Sequence, residues 1–204
     1  ERDHTATIAW LLAASCTVAL GVAPAMAWGA AHRSWALGLP VVAVAAGGLG
    51  AVFPLVAQAS VPGDMRAGQG LSWLLTSNIL GSAMGSWITG LYWLNHQGVA
   101  EIGAWLAGLG FLVSAALLLP IFGAVRVVPL GLVAVGFVGS QGARLGEGLW
   151  EQLTFRLEYQ GETFARIQES RSGVVMITEA GMVLGGGIYD GYVDTDLVED
   201  RNMI

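Results

Sequence analysis

A membrane-embedded all-α bundle of four or five transmembrane helices, followed by a small antiparallel β-meander, is what these 204 residues call for. Three patterns say so. The chain is 54% hydrophobic and only 12% charged, with a mean hydropathy of +0.62, a composition suited to lipid rather than to a water-soluble domain. Charge is segregated. Between Thr5 and Ser140 the only formal charges are Arg33, Asp64, Arg66, Glu101 and Arg126, whereas residues 141–204 hold five arginines against eleven acids and so account for the net charge of −6. After Ser140 the long apolar runs give way to short β-branched ones separated by turn residues.

A helix needs about 20 mostly apolar residues to cross the hydrocarbon core, and lipid-exposed backbone must bond internally. Thr5–Ala31, Trp35–Ser60, Leu71–Leu94 and Ile102–Phe122 meet that criterion. The first is longer than the roughly 7–15 residues of a signal-peptide core, so it reads as a span. Val127–Gly139 is shorter and reads equally as a fifth span, with Arg126 reaching to the interface, or as a re-entrant segment. Together these runs make residues 1–140 the bundle. The start at Glu1 without a methionine leads us to expect a cut-out of a longer chain.

Within the third run, Ser77, Gly81, Gly85 and Thr89 recur every four residues, the pattern of a helix-packing seam. Trp10, Trp28, Trp35, Trp73, Trp93 and Trp105 fall mostly near predicted helix ends, as an interfacial aromatic belt does. With four crossings, Arg2, Arg66, Arg126 and Arg144 share one side, and the excess of arginine places both ends in the cytoplasm. With five, the ends lie on opposite sides.

Residues 141–160 form an amphipathic connector of mixed charge, suited to the membrane surface. Residues 161–204 read as the meander, with strands in Phe164–Glu169, Gly173–Thr178 and Met182–Tyr189 and turns at Ser170–Ser172 and Glu179–Gly181. About 40 residues of meander hold too little core to stand alone, so a partner surface is expected.

Chemistry is sparse. An acidic C-terminal third argues against nucleic acid as a partner, because phosphate binding needs a basic face. There is no lysine, and the lone Cys16 has no partner for an internal disulfide. His4, His32 and His96 lack metal-ligand spacing, so no metal site is expected. Asp64 and Arg66 read as a loop ion pair. Gly185, Gly186 and Gly187 read as a turn, since no helix follows to cradle a phosphate. Gripping a diamine takes carboxylates for its ammonium groups and aromatic faces for its methylenes. Tyr189, Asp190, Asp194 and Asp196, with Tyr192, Glu199 and Asp200 nearby, supply that set, against the plainer alternative of a solvated acidic loop.

Two stretches carry a family likeness. The segment from Ala165 to Thr178 (ARIQESRSGVVMIT), followed by Leu184-Gly-Gly-Gly-Ile-Tyr, resembles the N-terminal β-domain of spermidine synthases, and Gly70–Gly90 is similar to the Asn- and Gly-containing helix of bacterial spermidine synthase-like membrane proteins. Gly185 stands where that family has the Asp of Leu-Asp-Gly, and Tyr189 where it has a pocket Gln. The resemblance implies a membrane-anchored aminopropyltransferase of the bacterial inner (plasma) membrane, its β-domain on the cytoplasmic side. It further implies decarboxylated S-adenosylmethionine as co-substrate, held by a C-terminal Rossmann-like catalytic domain that lies beyond Ile204. This fragment is accordingly expected to hold no cofactor and to be inactive alone. The lipid bilayer, the missing catalytic domain and a second copy in a homo-oligomer are the expected partners. A transporter-like or sensor module for a small cationic solute is the alternative, set back by the scarcity of charges within the apolar runs.

Overall fold

The computed structural model describes residues 2–32, 34–61, 67–142 and 144–193. Helix α1 (Arg2–Leu20) continues into α2 (Val22–Ala31) past a break at Gly21. Then come α3 (Trp35–Ser60), α4 (Ala67–Leu91), α5 (Val99–Phe122), α6 (Ala124–Gln141) and the short α7 (Leu149–Phe155). Strands β1 (Phe164–Ser170), β2 (Gly173–Thr178), β3 (Met182–Gly185) and β4 (Ile188–Tyr192) end the described chain.

Among the described residues four helical stretches are long and apolar enough to cross a membrane: Asp3–Ala31, Gly38–Ser60, Val99–Phe122 and Ala124–Gln141. The set decides between the two readings of the run after Arg126 and departs from the sequence expectation at α4. The short run after Arg126 belongs to an unbroken helix of 18 residues, because the helix starts at Ala124 and runs on to Gln141. Helix α4 has 25 residues and no charge but is not among the four, since Gln69, Asn78 and its many Ser, Thr and Gly dilute its hydropathy.

Helix α1 packs between α3 and α5, and α6 runs back along α5. Small residues set these contacts, because only a bare backbone lets two helices close to that distance. A Cβ on Gly48 of α3 would collide with the Ser15 hydroxyl, and one on Gly110 of α5 would collide with the Cys16 sulfur. Ser15 and Cys16 are both buried. Along α5 and α6, Gly131 meets Ala115 and Gly142 meets Ala104, an antiparallel register that carries the chain back to the end of the bundle where α5 begins.

Among the described residues the predicted seam of α4 has no such neighbour. Ser77, Gly81 and Gly85 are exposed and Thr89 is half-buried, and most of α4 is exposed. A Cβ on Gly81 or Gly85 would meet nothing within 4 Å. The close packing falls instead on Ser15 and Cys16, where a small polar side chain sits over a glycine rather than in a four-residue row.

The sheet is a plain meander of four antiparallel strands, in the order β1-β2-β3-β4. The run Met182–Tyr189, expected as one strand, is two. Gly186 (φ 59°) and Gly187 (φ 86°) make a two-residue hairpin turn between them, since a hairpin loop with both residues at positive φ follows the twist of its strands. One face of the sheet carries Ile167, Met176 and Leu184 directly opposite one another. Met176 is 1% exposed and Leu184 6%. The partner surface that so small a core needs is the connector: Thr154 of α7 reaches the Met176 sulfur, and α7 in turn packs on α2.

Candidate functional site

The junction between sheet and bundle is built around one carboxylate. Glu169 leaves β1 half-buried and accepts two N–H groups, from the Val99 backbone at 2.7 Å and from Trp150 Nε1 at 2.8 Å. Val99 is the first residue of α5, whose N-cap, Gly98, offers no capping side chain. A strand therefore caps a membrane helix from a distance of 70 residues, and the anion also faces the positive end of the helix dipole. The fit is close, for a Cβ on Gly98 would come within 2.9 Å of a Glu169 oxygen.

Beside this clamp lies a cleft of about 440 Å³. Its charged walls are acidic, namely Glu101, Glu147 and Glu169, with Trp150 and His96 completing them. The side-chain oxygen of Gln97 is buried there without a hydrogen-bond partner. A second cavity, of about 690 Å³, separates the connector from the sheet and is lined by Trp150, Phe155, Arg156, Glu158, Met176 and the Gly186–Gly187 turn, among others. Arg156 ends α7 at φ 50°, ψ −119°, the one non-glycine residue with positive φ among those described. Backbone held in that region is strained and needs support from its surroundings. The neighbouring Phe155 supplies some, its ring stacked on Phe164 at 5.4 Å.

Of the residues singled out for a diamine, Tyr189 and Asp190 are described, and Asp194 and Asp196 lie outside the described residues, as do Asp64 and Arg66. Tyr189 stands opposite Leu184 and Tyr192 opposite Met182, so both rings share the face that meets the connector. They touch edge-on at 5.8 Å. Asp190 is the extra residue of a β-bulge between them. Its carboxylate turns toward Gly185, on the other side from the tyrosines. Of the described members of that set, Asp190 is thus separated from the two tyrosines.

Two of the three histidines, His32 and His96, serve helix ends. His32 Nδ1 donates to the Trp28 carbonyl at 2.9 Å and stacks on the Trp28 ring; His96 does the same with Tyr92, at 2.7 Å. Both close a helix C-terminus, where orphan carbonyls need donors. Among the described residues no group of three His, Cys, Asp or Glu is placed to hold a metal ion.

Sequence reasoning missed the acidic cleft, whose carboxylates stand at positions 101, 147 and 169 with no periodicity to join them. The one signal was Glu169 itself, inside the segment that carries the family likeness. Comparison with protein-family models, with curated proteins and with solved structures finds no match.

Proposed function

We propose that this chain is the membrane-anchored part of a spermidine synthase-like aminopropyltransferase, and that its sheet forms one wall of the amine site at the membrane surface. The observation that carries the reading is the Glu169 clamp, which ties the meander rigidly to the end of a helix apolar enough to span a bilayer. An enzyme built on that sheet works beside the lipid headgroups. The order of parts, bundle then meander, agrees with the resemblance, and so does the hairpin at Glu169–Gly173. Tyr189 and Tyr192 offer aromatic faces to the methylenes of a diamine. Asp194 and Asp196 offer carboxylates to its ammonium groups, while Asp190 faces the other side of the sheet. The aminopropyl donor would be decarboxylated S-adenosylmethionine, bound by a nucleotide domain of the kind the family carries.

The test is an assay of the full-length protein in vesicles, with putrescine and decarboxylated S-adenosylmethionine supplied. Spermidine and methylthioadenosine are the expected products, and no product at high enzyme concentration counts against the proposal. The acid-walled cleft favours a second reading, a membrane module that senses or moves a small organic cation. Uptake of labelled putrescine into vesicles without transferase activity would select it.

A further inference from the structure

On the opposite side of the bundle from the sheet, α1, α5 and α6 enclose a slot of about 390 Å³. Its walls are apolar, with Trp10, Phe111, Leu118, Phe122, Leu130 and Ala134 prominent among them. The two hydroxyls that line it are already satisfied within their own helices. Thr17 Oγ1 donates to the Ala13 carbonyl and Ser114 Oγ to the Gly110 carbonyl, both at 2.9 Å. The remaining polar group is the Arg126 guanidinium, exposed in the first turn of α6. Among the described residues no carboxylate pairs with it, not even Asp3 at the same end of α1. The N-terminus of α6 adds positive potential of its own and has no capping side chain.

Depth matches charge. From Arg126 to Ala134 the slot follows α6 for about 12 Å, at 1.5 Å per residue. That is close to the hydrocarbon depth of one leaflet, half of about 30 Å. A cation at the interface, with an apolar cleft of leaflet depth beneath it, complements a molecule that has an anionic head and a hydrocarbon tail.

We infer that this slot is a binding site for an anionic phospholipid, one acyl chain lying between α1, α5 and α6 and the phosphate resting on Arg126. A zwitterionic lipid fills the slot less well, because its own ammonium group already balances its phosphate. The selectivity belongs to the membrane half of the molecule and is independent of any transferase activity.

Trp10 is half exposed and lines the slot, which makes it a reporter. The whole chain is reconstituted in phosphatidylcholine vesicles containing a minor fraction of phosphatidylglycerol with brominated acyl chains, and in vesicles with the same fraction of brominated phosphatidylcholine. Fluorescence quenching is compared between the wild type and Trp10→Phe, and the difference isolates Trp10. Quenching by the anionic lipid is expected to correspond to about fivefold preferential occupancy, equivalent to about 1 kcal/mol for one arginine at an anionic surface. Arg126→Gln should abolish that preference, Ala134→Phe should abolish it by filling the slot, and Arg126→Lys should keep it. Unchanged quenching by brominated phosphatidylcholine shows that each variant still presents Trp10 to lipid. Equal quenching by the two lipids overturns the inference, as does a preference that survives Arg126→Gln or Ala134→Phe, or one lost in Arg126→Lys.

Discussion

The carboxylate of Glu169 accepts two N–H groups from different parts of the chain, the first turn of α5 and the indole of Trp150. Hydrogen bonds to an ionised acceptor are stronger than neutral ones, and the loss of one leaves a donor to find water. Glu169→Ala is therefore expected to weaken the attachment of sheet to bundle by about 2 kcal/mol, discounted for the partial exposure of the site. Hydrogen exchange in vesicles would register it as faster exchange across β1, α7 and the first turn of α5, with the protection of α1 and of the rest of α5 unchanged. Uniform protection in the variant would show that the clamp contributes little. Nothing in the spacing of Glu169, Val99 and Trp150 announces their meeting, since it depends on how the connector folds back. By contrast, Trp28 with His32 and Tyr92 with His96 repeat one four-residue device that depends on local sequence alone.

At the scale of the helix, where a glycine matters depends on what stands across from it. Gly48 faces Ser15 and Gly110 faces Cys16 at distances that leave no room for a side chain, while the open row of α4 at Gly81 and Gly85 faces nothing. Gly48→Leu is expected to destabilise the bundle by about 1–3 kcal/mol through overpacking. Gly81→Leu should leave its stability within about 0.5 kcal/mol of wild type. Denaturant unfolding in micelles compares the two, and a larger loss for Gly81→Leu would mean that α4 does pack on a neighbour. The four-residue row was visible in the sequence, but a row of small residues specifies a surface and not a partner. The strands were more legible: β1 and β2 fall within a residue of their expected bounds. The glycines of the third run were read as a turn, and Gly186 and Gly187 make one; what composition did not show is that this turn divides the run into two strands.

For the molecule as a whole, residues 3–31, 38–60, 99–122 and 124–141 present apolar surface that water cannot accommodate. Exposed groups such as Val125 (90%), Leu132 and Val133 (both 68%) cover α6 on its outer side. The chain is expected to stay with membranes through alkaline carbonate washing and to be released by detergent. Recovery in the aqueous fraction would remove the basis of the membrane assignment. Helix α6 also revises the arginine count. Its return along α5 brings Arg144 to the end where α5 begins, opposite Arg126, so the four-crossing tally that grouped these two loses its footing. Composition and periodicity were enough for the helical membrane bundle and for the β-meander that follows it, because each depends on local burial preference and on runs of neighbouring residues. Which helices touch, where the sheet docks, how three distant glutamates come to wall one cleft and why Arg126 lies over an apolar slot depend on contacts between segments far apart in the chain. Local preference carries no information about such contacts, and packing in three dimensions is what sets them.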